Sequence, residues 1–380
     1  MKKQFLVAPG PTPVPERARL AMAASLIHHR GPEFKELMHE VREGLRWLFG
    51  TEQDVLVLTC SGTGGFESAI ASFTRRGDTI ISVGGGKFGE RWGDVARSYG
   101  LDVVDVDVEW GEAVDPAAVA AALDAHPEAV MVTMCASETS TAVLHPVAEV
   151  AKVVRARSDA LVAVDGITAV GVHRLPMDAL GIDVLVSGSQ KAFSLPPGLA
   201  FVAASERAWQ RYNEGADHPR YYFDLGRERR RQAGDQTAFT PAITLVVGLR
   251  VVLEMMREEG LEAMYRRHEV TAEATRAGLD AVGLRLLASR PANSVTAALV
   301  PDGVSAPEIV RRMREAYGVT IAGGQANLKP RLVRIGHLGY YDRSDILVAL
   351  GALELALQDA GQAVALGSAL TAAQSVFAAT

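Results

Sequence analysis

The chain has 380 residues, 48% of them apolar and 22% charged, with a net charge of −6. That length divides naturally into two domains, and the mild acidity gives no electrostatic reason to expect nucleic acid or an anionic membrane as a partner. Two cysteines, Cys60 and Cys135, make no disulfide framework and fit a reducing cytoplasm. The N-terminal apolar run is too short for a signal peptide, and no run reaches the roughly eighteen consecutive apolar residues of a membrane span.

Residues 1–20 form an N-terminal arm, irregular because four prolines fall between Pro9 and Pro15 and proline fixes φ and removes a donor. Apolar spacing predicts a helix over 34–49. Alternation follows: strand 54–59, the small-residue turn Ser61-Gly62-Thr63-Gly64-Gly65, helix 66–73, strand 79–83, helix 88–99 and strand 101–108. A helix opens at Asp115-Pro116, where Asp can cap and Pro suits the first turn. Then come strand 129–134, helix 146–157 and strands 161–164, 183–186 and 199–203. Short apolar strands separated by helices predict a parallel sheet covered on both faces.

From about residue 243 the rhythm changes. Helices over 243–258 and 261–282 precede strand 294–300, helix 306–317, strands 319–322 and 332–335, and helix 346–357. This is a smaller α+β unit, so the division is 21–245 for the large domain and 246–360 for the small one. Residues 361–380 are Ala-rich and carry no charged side chain, which reads as a loosely held helical tail.

Parallel α/β sheets place ligands beyond the carboxyl ends of their strands. Three such ends carry chemistry. The turn 61–65 leads into a helix, where small residues and a helix N-terminus suit an anion. Asp165 follows strand 161–164, and Ser187-Gly188-Ser189-Gln190-Lys191 follows strand 183–186. An anion cradle, a carboxylate and a lysine on one sheet edge suit pyridoxal 5'-phosphate. The phosphate needs a cradle, the pyridine nitrogen a carboxylate, and the aldehyde a lysine amine. The lysine, once released by substrate, can also move a proton.

Further segments share a pattern: Pro9-Gly10-Pro11-Thr12-Pro13, His29-Arg30-Gly31-Pro32-Glu33-Phe34, residues 86–92, Ser137-Glu138-Thr139-Ser140-Thr141, Leu195-Pro196-Pro197-Gly198, Phe239-Thr240-Pro241 and residues 334–339. Over nearly its whole length the chain resembles the class V aminotransferases, fold-type I enzymes that include alanine–glyoxylate, serine–glyoxylate and serine–pyruvate aminotransferases. The resemblance implies the pyridoxal-phosphate-dependent transferase fold: an α/β large domain with a mostly parallel sheet of seven strands and a smaller C-terminal α+β domain. It implies a Schiff base on Lys191, Asp165 on the pyridinium nitrogen, Phe88 and Ile167 against the ring faces, and Thr139 at its polar edge. Thr63, Gly64 and Gly65 would hold the phosphate through backbone N–H groups, with Gln190 adding a side-chain contact. Gly10 and Arg334 would lie at the substrate, Arg334 as a bidentate clamp on its carboxylate. Thr240 would reach the phosphate of a neighbouring subunit, making the active unit a homodimer. One departure is Ala142, where relatives often have Gly.

The implied reaction is a ping-pong transfer from a small L-amino acid, alanine or serine, to an oxo acid, glyoxylate or pyruvate. Aspartate and aminophosphonate donors are alternatives on the same scaffold; an aspartate donor would want a second cation, for which Arg30, His28 and His29 are candidates. A lyase or decarboxylase ranks lower. Cysteine desulfurases share the fold and the lysine but need a mobile thiol in the C-terminal half, where this chain has none. Residues 84–89 also spell a G-x-G-x-x-G, with Asp105 and Asp107 about 20 positions on, as in a nicotinamide-dinucleotide site; that reading leaves Lys191 and Asp165 unexplained.

Overall fold

A computed structural model describes residues 3–215 and 217–380. Seven strands form the larger sheet: β1 (Val55–Leu58), β2 (Thr79–Val83), β3 (Asp102–Val106), β4 (Met131–Cys135), β5 (Leu161–Asp165), β6 (Val184–Gly188) and β7 (Ala200–Ala204). Their order is β1-β7-β6-β5-β4-β2-β3. All neighbouring pairs are parallel except those of β7, which runs antiparallel to both β6 and β1. Strands β1, β4, β5, β6 and β7 are buried along their whole length, as both-face coverage requires, whereas the edge strand β3 is largely open. Because β1, β2, β4, β5 and β6 point the same way, the segments that follow them gather on one edge.

Two helices on that edge are locked by their apolar faces. Gly62–Phe73 carries Phe66 and Lys87–Ser98 carries Trp92; both rings are fully buried and stack, with centroids 4.2 Å apart and planes 19° from parallel. This contact fixes the spacing between the two helix N-termini that face the site.

The smaller unit holds a second sheet of four strands, β8 (Arg285–Leu286), β9 (Val295–Leu299), β10 (Ala322–Gly323) and β11 (Leu332–Gly336), in the order β8-β9-β11-β10 and antiparallel throughout. The stretch 319–322, expected as one strand, is split. Val319–Thr320 pairs in parallel with Phe5–Leu6, while Ala322–Gly323 turns to pair with β11.

Three expectations need correction. The helix Ile243–Glu259 buries Val246, Leu249, Val252 and Met256 in the same core as Pro32–Phe49, so packing does not change at residue 245. The chain passes to the second core only within Leu261–Ala281, where Met264 still belongs to the first core and Val270, Ala274 and Leu279 to the second. The arm is irregular only between its anchors: Phe5–Leu6 is a strand and Glu16–Met22 a helix packed on Ile243–Glu259. The tail is not loose. Ser368–Ala378 is a helix that buries Ala369, Ala373 and Phe377 against Leu261–Ala281 and its neighbours. Among the described residues no helix is long and apolar enough to cross a membrane.

Because Trp92 spaces the two helices, Trp92→Ala is expected to destabilise the protein by roughly 3–5 kcal/mol, measurable by denaturant unfolding.

Candidate active site

Lys191 is set by the turn that leaves β6. The Ser189 N–H donates to Leu199 O (3.0 Å) and the Ser189 hydroxyl to Pro196 O (2.7 Å), so the backbone before Lys191 is bound to β7 and its approach. The arm closes over the lysine from the other side. Lys191 Nζ donates to Pro9 O at 2.8 Å, and the Lys191 carbonyl accepts from Thr12 Oγ1 at 2.8 Å. Gly10 has a φ of +133°, and a Cβ there would collide with the Lys191 amine, so glycine is demanded by this approach. Burial, aided by the positive charge of Arg334, lowers the Lys191 pKa to about 8.

Asp165 ends β5 opposite Cys135 in β4. Its Oδ1 accepts from Ile167 N (2.8 Å) and its Oδ2 from the Cys135 thiol (3.1 Å). Burial nonetheless pushes its pKa up to about 7. A carboxyl held so near neutrality ionises fully only when a cation settles beside it.

The small-residue turn 61–65 is already the start of a helix. The helix begins at Gly62, not near Phe66, with Ser61 as N-cap and its hydroxyl not used for capping. The unpaired first-turn N–H groups are therefore those of Gly62, Thr63 and Gly64. Gly65 donates its N–H to Ser61 O at 3.2 Å. Its lack of a side chain serves packing, since a Cβ would stand 2.6 Å from Val186 Cγ1.

Phe88 opens the helix Lys87–Ser98. The N–H groups of Phe88 and Gly89 both donate to Glu138 Oε2 at 2.9 Å, and Ser140 donates to Glu138 Oε1 through its N–H (2.9 Å) and hydroxyl (2.6 Å). Glu138 is fully buried and occupies the anion position of this helix. The G-x-G-x-x-G at 84–89 thus offers no place for a dinucleotide phosphate, and Asp105 is engaged by Arg97. The loop that carries Glu138 turns at Ala142, whose φ of 65° is left-handed and costs a residue with a Cβ about 1–2 kcal/mol, the reason glycine suits this position.

Arg334 sits in β11, buried, between the two units. Its Nε donates to Gly323 O and its Nη1 to Thr139 O, both at 2.8 Å. The Nη1–Nη2 edge keeps donors to spare. Burial lowers its pKa to about 10, so it stays charged at neutral pH. Among the described residues no carboxylate lies within ion-pair distance of it.

A cavity of about 330 Å³ joins these groups. Of the expected residues, Gly10, Thr63, Phe88, Thr139, Asp165, Ile167, Gln190 and Lys191 line it. Among the described residues the Gln190 side-chain oxygen has no partner, so either face of its amide can turn to a ligand. Gly64 contributes from the cradle, and Arg334 stands behind Thr139 rather than in the wall. Thr240 lies elsewhere in its own subunit, lining a separate small pocket with Thr59, Tyr222 and Phe239. Arg30 is away from the cavity as well, its Nη1 donating to Thr237 O at 2.7 Å.

Ser61, Arg91, Cys135 and Glu138 were missed as site residues. Ser61 was legible as the N-cap of the glycine turn. Arg91 falls one helical turn after Phe88 and shares its face. Cys135 and Glu138 gave no local signal, because strand pairing and a long-range capping contact bring them in.

The donor set fits pyridoxal phosphate. The helix N-terminus at Gly62, with a Ser61 hydroxyl not used for capping, suits its phosphate, Asp165 its ring nitrogen, and a lysine of lowered pKa its aldehyde. The sequence model of "Aminotransferase class-V" matches residues 17–344. The chain is 42% identical over 380 residues to the "Soluble hydrogenase 42 kDa subunit" of Anabaena cylindrica, covering 99% of each. It is 36% identical to the L-aspartate–glyoxylate aminotransferase of Paracoccus denitrificans, over 97% of this chain and 95% of that one. The ureidoglycine–glyoxylate aminotransferase of Bacillus subtilis superposes with a TM-score of 0.93 at 29% identity, over 100% of this chain and 99% of that one. With the family's match across most of the chain and a relative 36% identical over nearly its whole length, this protein belongs to the class V aminotransferases and is a pyridoxal-phosphate-dependent transaminase of fold type I.

Proposed function

We propose that the enzyme moves the amino group of a small L-amino acid, alanine or serine, to glyoxylate or pyruvate in a ping-pong cycle. The observation that carries this reading is the buried Arg334 guanidinium, held by the Gly323 and Thr139 carbonyls and without a carboxylate partner among the described residues. A substrate α-carboxylate supplies the anion that Arg334 lacks and sets the amino group towards the lysine. The glyoxylate aminotransferases among its relatives support the acceptor.

When bound, pyridoxal phosphate supplies an aldehyde for the amino group and a ring that takes up the electron pair released at the substrate's α-carbon. The N–H groups of Gly62, Thr63 and Gly64, with Ser61 and Gln190, hold the phosphate. Asp165 keeps the ring nitrogen protonated. Phe88 and Ile167 confine the ring, and Thr139 lies at its edge. Lys191, neutral in a useful fraction near pH 7 because its pKa is about 8, would take the proton from the α-carbon and deliver it to the cofactor carbon that was the aldehyde. Gly10 keeps the space in which that amine moves.

Thr240 stands outside the cavity of its own subunit, which supports a homodimer in which Thr240 of the partner subunit completes the phosphate site. Its substrates are small molecules, not nucleic acid or membrane, and its two thiols suit the cytoplasm. A second reading, an aspartate donor, is favoured by Arg30, whose bond to Thr237 O makes it travel with the Thr240 loop. The relative from Paracoccus denitrificans named for aspartate points the same way.

Half-reactions monitored by cofactor absorbance should show rapid conversion by alanine or serine and slow conversion by aspartate or an aminophosphonate. The reverse order establishes the second reading. Arg334→Lys is expected to raise the KM for the amino donor about tenfold to a hundredfold. In the apoenzyme, borohydride-trapped capture of pyridoxal phosphate should increase as the pH rises through a midpoint near 8, where half of the Lys191 amine is neutral, and Lys191→Ala should abolish it.

A further inference from the structure

Arg91 has no part in the roles assigned above, yet it lines the cavity. Its Nη1 donates to Thr63 Oγ1 at 3.1 Å, and its guanidinium lies over the Phe88 ring, 4.7 Å from the centroid. The other cations of its helix are neutralised: Lys87 pairs with Glu90 at 3.3 Å and Arg97 with Asp105. Arg91, half-buried, has no carboxylate within ion-pair distance among the described residues. Five N–H donors with one bond to a neutral hydroxyl leave a guanidinium that has given up part of its hydration without an anion in return.

Its contacts indicate which anion. A hydroxyl that accepts from Arg91 has its own proton free to donate elsewhere, and Thr63 belongs to the helix turn whose N–H groups are unpaired. Arg334 is bound to the Thr139 loop and Arg91 to the Thr63 turn. Two cations on two loops match a ligand pair with two anionic groups, a carboxylate and a phosphate. The phosphate carries about −1.5 to −2 charges at pH 7, more than the neutral donors of the cradle can offset. Stacking on Phe88 adds a second effect, because a cation over the ring face holds the aromatic plane in place.

We propose that Arg91 is the positive charge that complements the cofactor phosphate, acting through the Thr63 hydroxyl, and that it positions the Phe88 ring at the same time. The proposal rests on the pyridoxal-phosphate reading of the site. It separates Arg91 from Arg334, which answers to the substrate.

The test is equilibrium titration of the apoenzyme with pyridoxal phosphate and with pyridoxal, which lacks the phosphate. Arg91→Met should weaken pyridoxal phosphate binding about tenfold to a hundredfold and leave pyridoxal within about threefold of the unaltered protein. Arg91→Lys, which keeps the charge, should recover part of the loss. Thr63→Val combined with Arg91→Met should lose less than the sum of the two single effects, as expected for groups acting in series. Equal losses for both ligands, or no loss for either, overturn the proposal. Should Arg91→Met fail to fold, as thermal unfolding of the apoenzyme would reveal, Arg91→Lys and Thr63→Val read the same contrast between the two ligands. If the unaltered protein takes up neither ligand, the cofactor reading fails instead, a result distinct from the others.

Discussion

Lys191, Asp165 and Arg334 are brought out of water together without being paired to one another, and the rest of the structure is arranged around that cost. Charges so placed are expensive. Each is met halfway: Lys191 by the Pro9 carbonyl, Asp165 by the Ile167 N–H and the Cys135 thiol, Arg334 by the Thr139 and Gly323 carbonyls. Neutral partners stabilise these groups without cancelling them. The site therefore keeps unspent electrostatic interactions for a ligand that brings a ring cation, a carboxylate and a phosphate. The shifts of Lys191 and Asp165 towards neutrality record how little of the charge has been offset.

The scaffold supplies rigidity where the charges need it. Parallel strands with both faces covered deliver Asp165 and the lysine turn at the same edge. The Phe66–Trp92 stack sets the distance between the helices that carry Thr63 and Phe88. Glu138 then ties the second helix to the Thr139 loop, which in turn supports Arg334. The helix that carries Phe88 and the loop that carries Thr139 are thus linked by one buried carboxylate.

Much of this was legible in the sequence. The strands 79–83 and 161–165, the lysine turn and Arg334 are marked by local apolar runs and by motif residues. What escaped depends on partners distant in the chain. The glycine turn is already helical at Gly62, and the missing Cβ of Gly65 serves its packing on Val186, a contact that only the folded sheet brings about. The G-x-G-x-x-G at 84–89 read locally as a dinucleotide signal, and only the arrival of Glu138 from some 50 residues away shows that its N–H groups are already satisfied. The change in helical rhythm near 245 marks a change in sequence pattern, not in packing, since an all-helical boundary has no strand to reveal which core each face enters.

The arm has a mechanical consequence. Phe5–Leu6 is hydrogen-bonded to the smaller unit, Val7 O accepts from Gly336 two residues beyond Arg334, and Pro9 O holds the lysine amine of the larger unit. Residues 5–10 therefore act as a tie-rod between the strand that carries Arg334 and the Lys191 amine. Any rocking of one unit against the other is felt as tension or slack at Lys191.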